Sequence, residues 1–138
     1  MKDHIQTYIQ YRIQRAKDSL IEAEVMFDID HIPACVSRQY YACFYAVSAL
    51  LLCKGFKPSK HTHVRSLLHR ELVKEGLIDV VHGTHFDILF NNRKRADYAD
   101  LPEFQKEQVA EWLDKTRCFV SCLDSLVADC VAERNPEA

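Results

Sequence analysis

Three side chains in this sequence have the chemistry to act on a phosphate ester. Cleaving RNA without a metal needs a base for the 2′-hydroxyl, an acid for the leaving 5′-oxygen, and fixed positive charge for the transition state. Arg93 can supply the charge, because a planar guanidinium holds a phosphate in two hydrogen bonds. His61 and His85 can move protons, since only histidine titrates near neutrality when unperturbed. His85 and Arg93 are separated by about 12 Å along one helix face, too far for a single reacting centre. His61 would have to reach Arg93 from a loop, which linear spacing does not decide.

Each candidate has a purely structural reading beside it. Arg93 can pair with Asp97 one helical turn on, and His61 can simply cap a helix. Asp97 and Tyr98 read first as a hydrogen-bonded aspartate and a tyrosine anchoring two helices, and second as a proton shuttle or, for Tyr98, a site modified by a partner enzyme. Tyr40 and Tyr41 can stack bases, but an aromatic pair in an apolar helix is more often core. Lys54, Lys57, Lys60, Arg93, Lys94 and Arg95 form one basic patch only if the loop that holds the first three meets the helix that holds the rest. His61 with His63, or His82 with His85, could approach a zinc ion, yet no cysteine pair or H-E-x-x-H accompanies them, so no metal is expected. No glycine-rich phosphate loop is present, which argues against a P-loop or dinucleotide enzyme, and no cofactor is expected.

The elements that must position these residues are helical. Ile5, Ile9, Ile13, Ala16, Leu20, Ala23 and Phe27 recur at helical spacing behind a capping pair, Asp3 and Gln6, with Arg12, Arg15, Lys17, Asp18 and Glu22 on the wet face. Pro33 suits the first turn of a second helix and Gly55 the left-handed position past its end. The run from Tyr40 to Leu52 is apolar on nearly all sides, which predicts a central helix or one that also lines an oligomer interface. After a loop over Lys54 to Lys60, a short third helix starts near Thr62 and stops at Gly76. A fourth runs from about Asp79 to Tyr98 with Val81, His85, Leu89, Arg93 and Ala96 on one stripe, its start weakened by Gly83. Leu101-Pro102 is expected to end it and open a fifth helix, periodic from Val109 to Cys130, and the residues from Arg134 onward should fray.

A chain of 138 residues with only 3 glycines and 4 prolines has little turn chemistry for many short strands. The expected fold is therefore all-α, an antiparallel up-and-down bundle of about five helices in a single domain, 1–138, with its core over about 3–132. The formal net charge of −2 makes no global case for nucleic acid, so any such binding must be local. No apolar run approaches the roughly 18 to 20 residues that span a bilayer, and Met1 to Tyr11 is too polar for a signal-peptide core. A cytoplasmic location is expected, with most of the 6 cysteines as reduced thiols and Cys118 and Cys122 as small core residues.

Three segments carry a family resemblance. Ser37-Arg38-Gln39-Tyr40-Tyr41-Ala42-Cys43-Phe44-Tyr45-Ala46, followed by Ala49-Leu50-Leu51 and Gly55, resembles the Y-Y-A-x-F-x-A...A-L-L...G run of small stand-alone prokaryotic proteins of the HEPN superfamily. Lys60-His61-Thr62-His63-Val64 resembles their histidine ahead of the third helix, and Arg93-Lys94-Arg95-Ala96-Asp97-Tyr98 their R-x-x-A-D-Y segment. The resemblance covers roughly residues 5 to 128. It implies a helical bundle, usually a homodimer, with a groove near the dimer contact, and pairing with a minimal nucleotidyltransferase as toxin and antitoxin.

Many proteins of that superfamily are metal-independent ribonucleases marked by an arginine and a histidine with four to six residues between them, R-x(4-6)-H. This sequence departs from that pattern, because the positions after Arg93 and Arg95 hold Tyr98, Ala99, Asp100, Leu101 and Pro102 and no histidine. The expected function is binding of RNA, or of a nucleotide-bearing or nucleotidyltransferase partner, through Arg93, Arg95, Asp97, Tyr98, Lys60 and Tyr41. One alternative is a divergent endoribonuclease with Arg93 and His61 as its catalytic pair. Another is a helical protein–protein interaction module with no ligand.

Overall fold

The computed structural model describes residues 2–98 and 103–135. The side chain of Asp3 and the Leu101-Pro102 junction, for which a cap and a helix boundary were expected, lie outside the described residues. The described chain is helical, with no strand: α1 spans Lys2–Asp28, α2 Ile32–Cys53, α3 His61–Leu67 running on through a π-helical turn at Leu68–Val73, α4 Val80–Tyr98 and α5 Lys106–Arg134.

The punctuation works as the residue types require. Pro33 sits in the first turn of α2, where its missing N–H costs nothing. At the other end Gly55 takes a φ of 96°, and the N–H groups of Gly55 and Phe56 turn back onto the carbonyls of Leu52 and Leu51 at 3.1 and 2.9 Å. Gly76 closes the third segment in the same way, at a φ of 79°. That segment does not stay α-helical to its end: the Lys74 N–H reaches the His69 carbonyl at 2.9 Å, one residue further back than in an α-helix.

Side-chain pairs set the directions of the helices. Arg15 lies over Tyr45 and Glu22 meets Arg38, so α1 and α2 are antiparallel. Lys17 pairs with Asp124 and Glu24 with Arg117, which makes α1 antiparallel to α5 as well. His82 meets Phe119 while His85 meets Thr116, so α4 also opposes α5. The long helices therefore alternate up and down, as expected, with α2 at the centre. Tyr40, Phe86 and Phe119 are fully buried there, each contributing about 2 to 3 kcal/mol through apolar area removed from water.

Three details differ from the sequence-based expectation. The fifth helix begins at Lys106, not at Leu101-Pro102, because Glu103 to Gln105 are non-helical and Phe104 packs against Trp112. The chain end is held rather than frayed at Arg134 and Asn135: Arg134 donates to the Cys53 carbonyl at 3.1 Å and Asn135 to the Gln6 side-chain oxygen at 3.0 Å. Gly83 does not disturb α4. It is buried, and its missing Cβ admits His69 and Val73, both 3.1 Å from where that carbon would stand.

Cysteine behaviour is mixed. Cys35, Cys43, Cys118 and Cys122 are free, whereas Cys53 and Cys130 form a disulfide between the ends of the parallel helices α2 and α5. Cys118 is exposed, contrary to the expectation of a core residue, because α5 turns that face to solvent.

One polar ladder crosses the core. Thr116 donates to Gln39 Oε1 at 2.9 Å, so its oxygen must accept from His85 Nε2, also at 2.9 Å. His85 therefore carries a proton on Nε2, and its Nδ1, buried with no hydrogen-bond partner among the described residues, has nothing to receive a second one. Burial, helped by the nearby Lys115 and His82, pulls its pKa down to about 4. His85 is a core histidine.

Candidate functional site

The residues with chemistry meet where the start of α3 crosses α2 and the last turns of α4. His61 is the first residue of α3, set on the extended Lys60, and neither residue caps the helix through its side chain. The imidazole lies flat on Phe44, with ring centres 4.4 Å apart, and its Nδ1 is 2.7 Å from the Tyr40 hydroxyl. Tyr40 itself is fully buried, and burial raises its pKa, so the phenol keeps its proton. Its hydroxyl can donate to Nδ1 or accept from it. The first arrangement turns a His61 Nε2–H outward, the second an Nε2 lone pair, which is the pair of states that proton transfer needs.

Arg93 reaches the same tyrosine from α4. Its guanidinium carbon is 5.1 Å from the centre of the Tyr40 ring, and one terminal nitrogen is 3.5 Å from the Tyr41 hydroxyl. The pairing with Asp97 that the sequence also allowed is not seen, and this contact with the tyrosine pair stands in its place. The Arg93 Nε is buried with no hydrogen-bond partner, and no carboxylate pairs with Arg93 among the described residues. A cation so placed favours a neutral imidazole nearby: partial burial first, then the Arg93 charge, holds the His61 pKa below its ordinary value. His61 and Arg93 are thus brought to one place, both against Tyr40, as the loop-to-helix juxtaposition requires.

The remaining candidates scatter around this centre. Tyr41 is half-buried, with its ring 6.1 Å from that of His61. Lys60 is exposed beside His61, and Arg95 lies over Phe104 at 4.0 Å. Asp97 and Tyr98 are exposed, Tyr98 at 73%, which removes the buried-network reading for both. The single basic patch does not form. Lys57 lies with Ile5, Tyr8 and Arg12 beside α1, and Lys54 lies with Asp129 and Glu133 near the end of α5. His63 is exposed, and no three His, Cys, Asp or Glu side chains converge as metal ligands among the described residues.

Two features were not anticipated from the sequence. Asp87 on α4 accepts from Arg65 Nε at 2.8 Å, and one of its oxygens is 2.9 Å from His69 Nε2 on the π-helical turn. Tyr40 and Phe44 act as the seat of His61. The i, i+4 spacing of Tyr40 and Phe44 was visible in the sequence, but nothing linked that face to a histidine 17 residues beyond Phe44.

Comparison with known proteins agrees with this architecture. The HEPN domain family matches residues 9–126. A protein of Thermotoga maritima named "UPF0332 protein" is 38% identical over 121 residues, which cover 88% of this chain and 92% of that one. A protein of Methanocaldococcus jannaschii named "Putative toxin MJ0142" is 34% identical over 109 residues, 79% of this chain and 74% of that one. A further "UPF0332 protein", from Pyrococcus horikoshii, is 30% identical over 77 residues, about half of each chain. No helix among the described residues is long and apolar enough to cross a membrane.

Proposed function

Because the chain belongs to the HEPN domain family, we propose that it binds RNA, or a nucleotide-bearing partner, through the surface at His61, Arg93 and Tyr41, which the buried Tyr40 holds together. In this reading the exposed Lys60, Arg95, Asp97 and Tyr98 belong to the same binding surface. One observation supports the reading above all: a half-buried arginine with no carboxylate partner among the described residues stands over the tyrosine that holds His61. Such a guanidinium is ready to receive a phosphate in two hydrogen bonds, with His61 able to add a third. The name given to the Methanocaldococcus jannaschii relative, "Putative toxin MJ0142", supports a role as one component of a toxin–antitoxin-like module, and a minimal nucleotidyltransferase as antitoxin is part of the same proposal. A homodimer belongs to the same reading, and the exposed Tyr8, Tyr11, Ile21 and Val25 on α1 leave apolar surface for it.

Binding of labelled RNA and nucleotides to wild type and Arg93→Ala, followed by fluorescence anisotropy, tests this. The expected result is saturable binding that Arg93→Ala weakens about tenfold or more, the loss of one charge-assisted bidentate contact. No binding by the wild type rejects it.

A second reading, a divergent metal-independent ribonuclease, is favoured by the His61–Tyr40 contact, which leaves Nε2 positioned to move a proton. RNA incubated with chelator should then be cut by wild type and left intact by His61→Ala and Arg93→Ala. Equal inactivity of all three rejects catalysis while leaving the binding role in place.

A further inference from the structure

Besides Arg95 on Phe104, four arginines lie on four aromatic rings that touch in sequence. Arg65 is 4.7 Å from the centre of Phe90, Arg93 is 5.1 Å from Tyr40, Arg38 is 5.1 Å from Tyr41, and Arg15 is 5.3 Å from Tyr45. The ring centres themselves step 6.2 Å from Phe90 to Tyr40, 5.3 Å from Tyr40 to Tyr41 and 6.2 Å from Tyr41 to Tyr45. The line crosses four helices: Arg65 comes from α3, Phe90 and Arg93 from α4, Arg38 and the three tyrosines from α2, and Arg15 from α1.

Cation–π contact fixes each guanidinium plane and lowers the entropy it loses on binding a ligand. The side chains remain reachable, with exposures of 29% for Arg15, 35% for Arg38 and 37% for Arg65. Neutralisation is incomplete. Glu22 is shared between Arg15 at 4.0 Å and Arg38 at 3.5 Å, and Asp87 takes only the Nε of Arg65, leaving its terminal nitrogens for another acceptor. A chain of negative net charge therefore carries one locally positive strip.

We propose that this strip is a track for single-stranded RNA, on which successive backbone phosphates meet Arg65, Arg93, Arg38 and Arg15. The partly exposed Phe90, Tyr41 and Tyr45 offer faces and edges for bases beside the guanidiniums. A single nucleotide would meet Arg93 alone, whereas a polymer would also reach the other three arginines, whose ion pairs with Glu22 and Asp87 leave donors free. The assignment rests on the phosphate-binding reading of the Arg93 groove and extends it from one phosphate to about four.

The test compares a mononucleotide, a dinucleotide, a hexanucleotide and a dodecanucleotide of uridine, with anisotropy read over a salt series. Affinity should rise steeply to the hexanucleotide and level off, with a slope of log K against log salt near −3, from about 0.7 per neutralised phosphate. Arg15→Gln, Arg38→Gln and Arg65→Gln should each weaken the hexanucleotide about fivefold and flatten the slope by about 0.7. Glu22→Gln, which frees two guanidiniums, should tighten it about threefold, a gain that a damaged fold cannot produce. If affinity is already at its plateau with the mononucleotide and Glu22→Gln is neutral, the track is wrong although the Arg93 site stands. Equal affinity for a duplex of the same length overturns the single-strand assignment. Absence of binding to every probe removes the Arg93 reading and the track together.

Discussion

The Tyr40 hydroxyl and the Nδ1 of His61 are 2.7 Å apart, and the Arg93 guanidinium stands over the same phenol ring. A buried residue of α2 thereby joins the first residue of α3 to the fourth helix. The expectation that the loop ahead of α3 lies against the tail of α4 rests on this contact.

Removing the cation should release the imidazole. In Arg93→Gln the His61 pKa is expected to rise toward its ordinary value, because one of the two causes that hold it down is gone. Histidine titration by NMR reads this directly, and an unchanged His61 curve would show that the two side chains are not electrostatically coupled.

Removing the hydroxyl should loosen it. Tyr40→Phe keeps the ring under Arg93 but leaves Nδ1 without its partner, at a cost of about 1 kcal/mol in urea unfolding. The His61 ring should also become more mobile. A variant as stable as wild type, with an equally ordered imidazole, would mean the contact holds nothing.

Acid should destabilise the fold through His85. Its folded pKa of about 4 lies below the ordinary 6.5, so the unfolded chain binds the extra proton first as pH falls. Stability is fully present above about 6.5 and is lost progressively down to about 4, by on the order of 3 kcal/mol. Thermal unfolding across that window should show the decline, and His85→Gln, which cannot titrate, should flatten it.

The polar ladder that holds His85 should be intolerant of half-removal. Thr116→Val leaves both the Gln39 oxygen and the His85 Nε2–H buried without partners, for a loss of about 2 to 4 kcal/mol. Replacing all three residues by apolar ones should recover part of that loss, which separates an unsatisfied polar group from a packing defect.

Reduction of Cys53–Cys130 should lower the unfolding midpoint. The bond closes a sequence separation of 77 residues, for which the chain-entropy account gives roughly 4 kcal/mol. Melts with and without reductant check this, and Cys130→Ser should reproduce the reduced value. A Cys130→Ser protein that melts like the oxidised wild type would dismiss the bond as a stabiliser.

Most of the helices were legible from residue type alone, because their determinants are local. Apolar residues three and four apart, Pro33 at one end of α2 and Gly55 at the other, needed no knowledge of the partner helices. The all-round apolar character of α2 also announced its central position, and the family signature lies on that same helix and on α4. Legibility stopped where backbone hydrogen bonding departs from the repeat, as at the π-helical turn Leu68–Val73, and where exposure depends on which face meets another helix, as for Cys118 and Val81.

The candidate site divides along the same line. Residue chemistry singled out His61 and Arg93, but their 32-residue separation and the absence of any helical relation between them left their distance open. Tertiary packing decided it, by seating His61 on Phe44 and Tyr40 and folding α4 so that Arg93 covers the same ring. It likewise buried His85 and exposed Tyr98, although both belong to one helix. Side-chain type states what a group can do with a proton or a phosphate; only the packing of distant segments determines whether water or a neighbour surrounds it, and so which of those things it does.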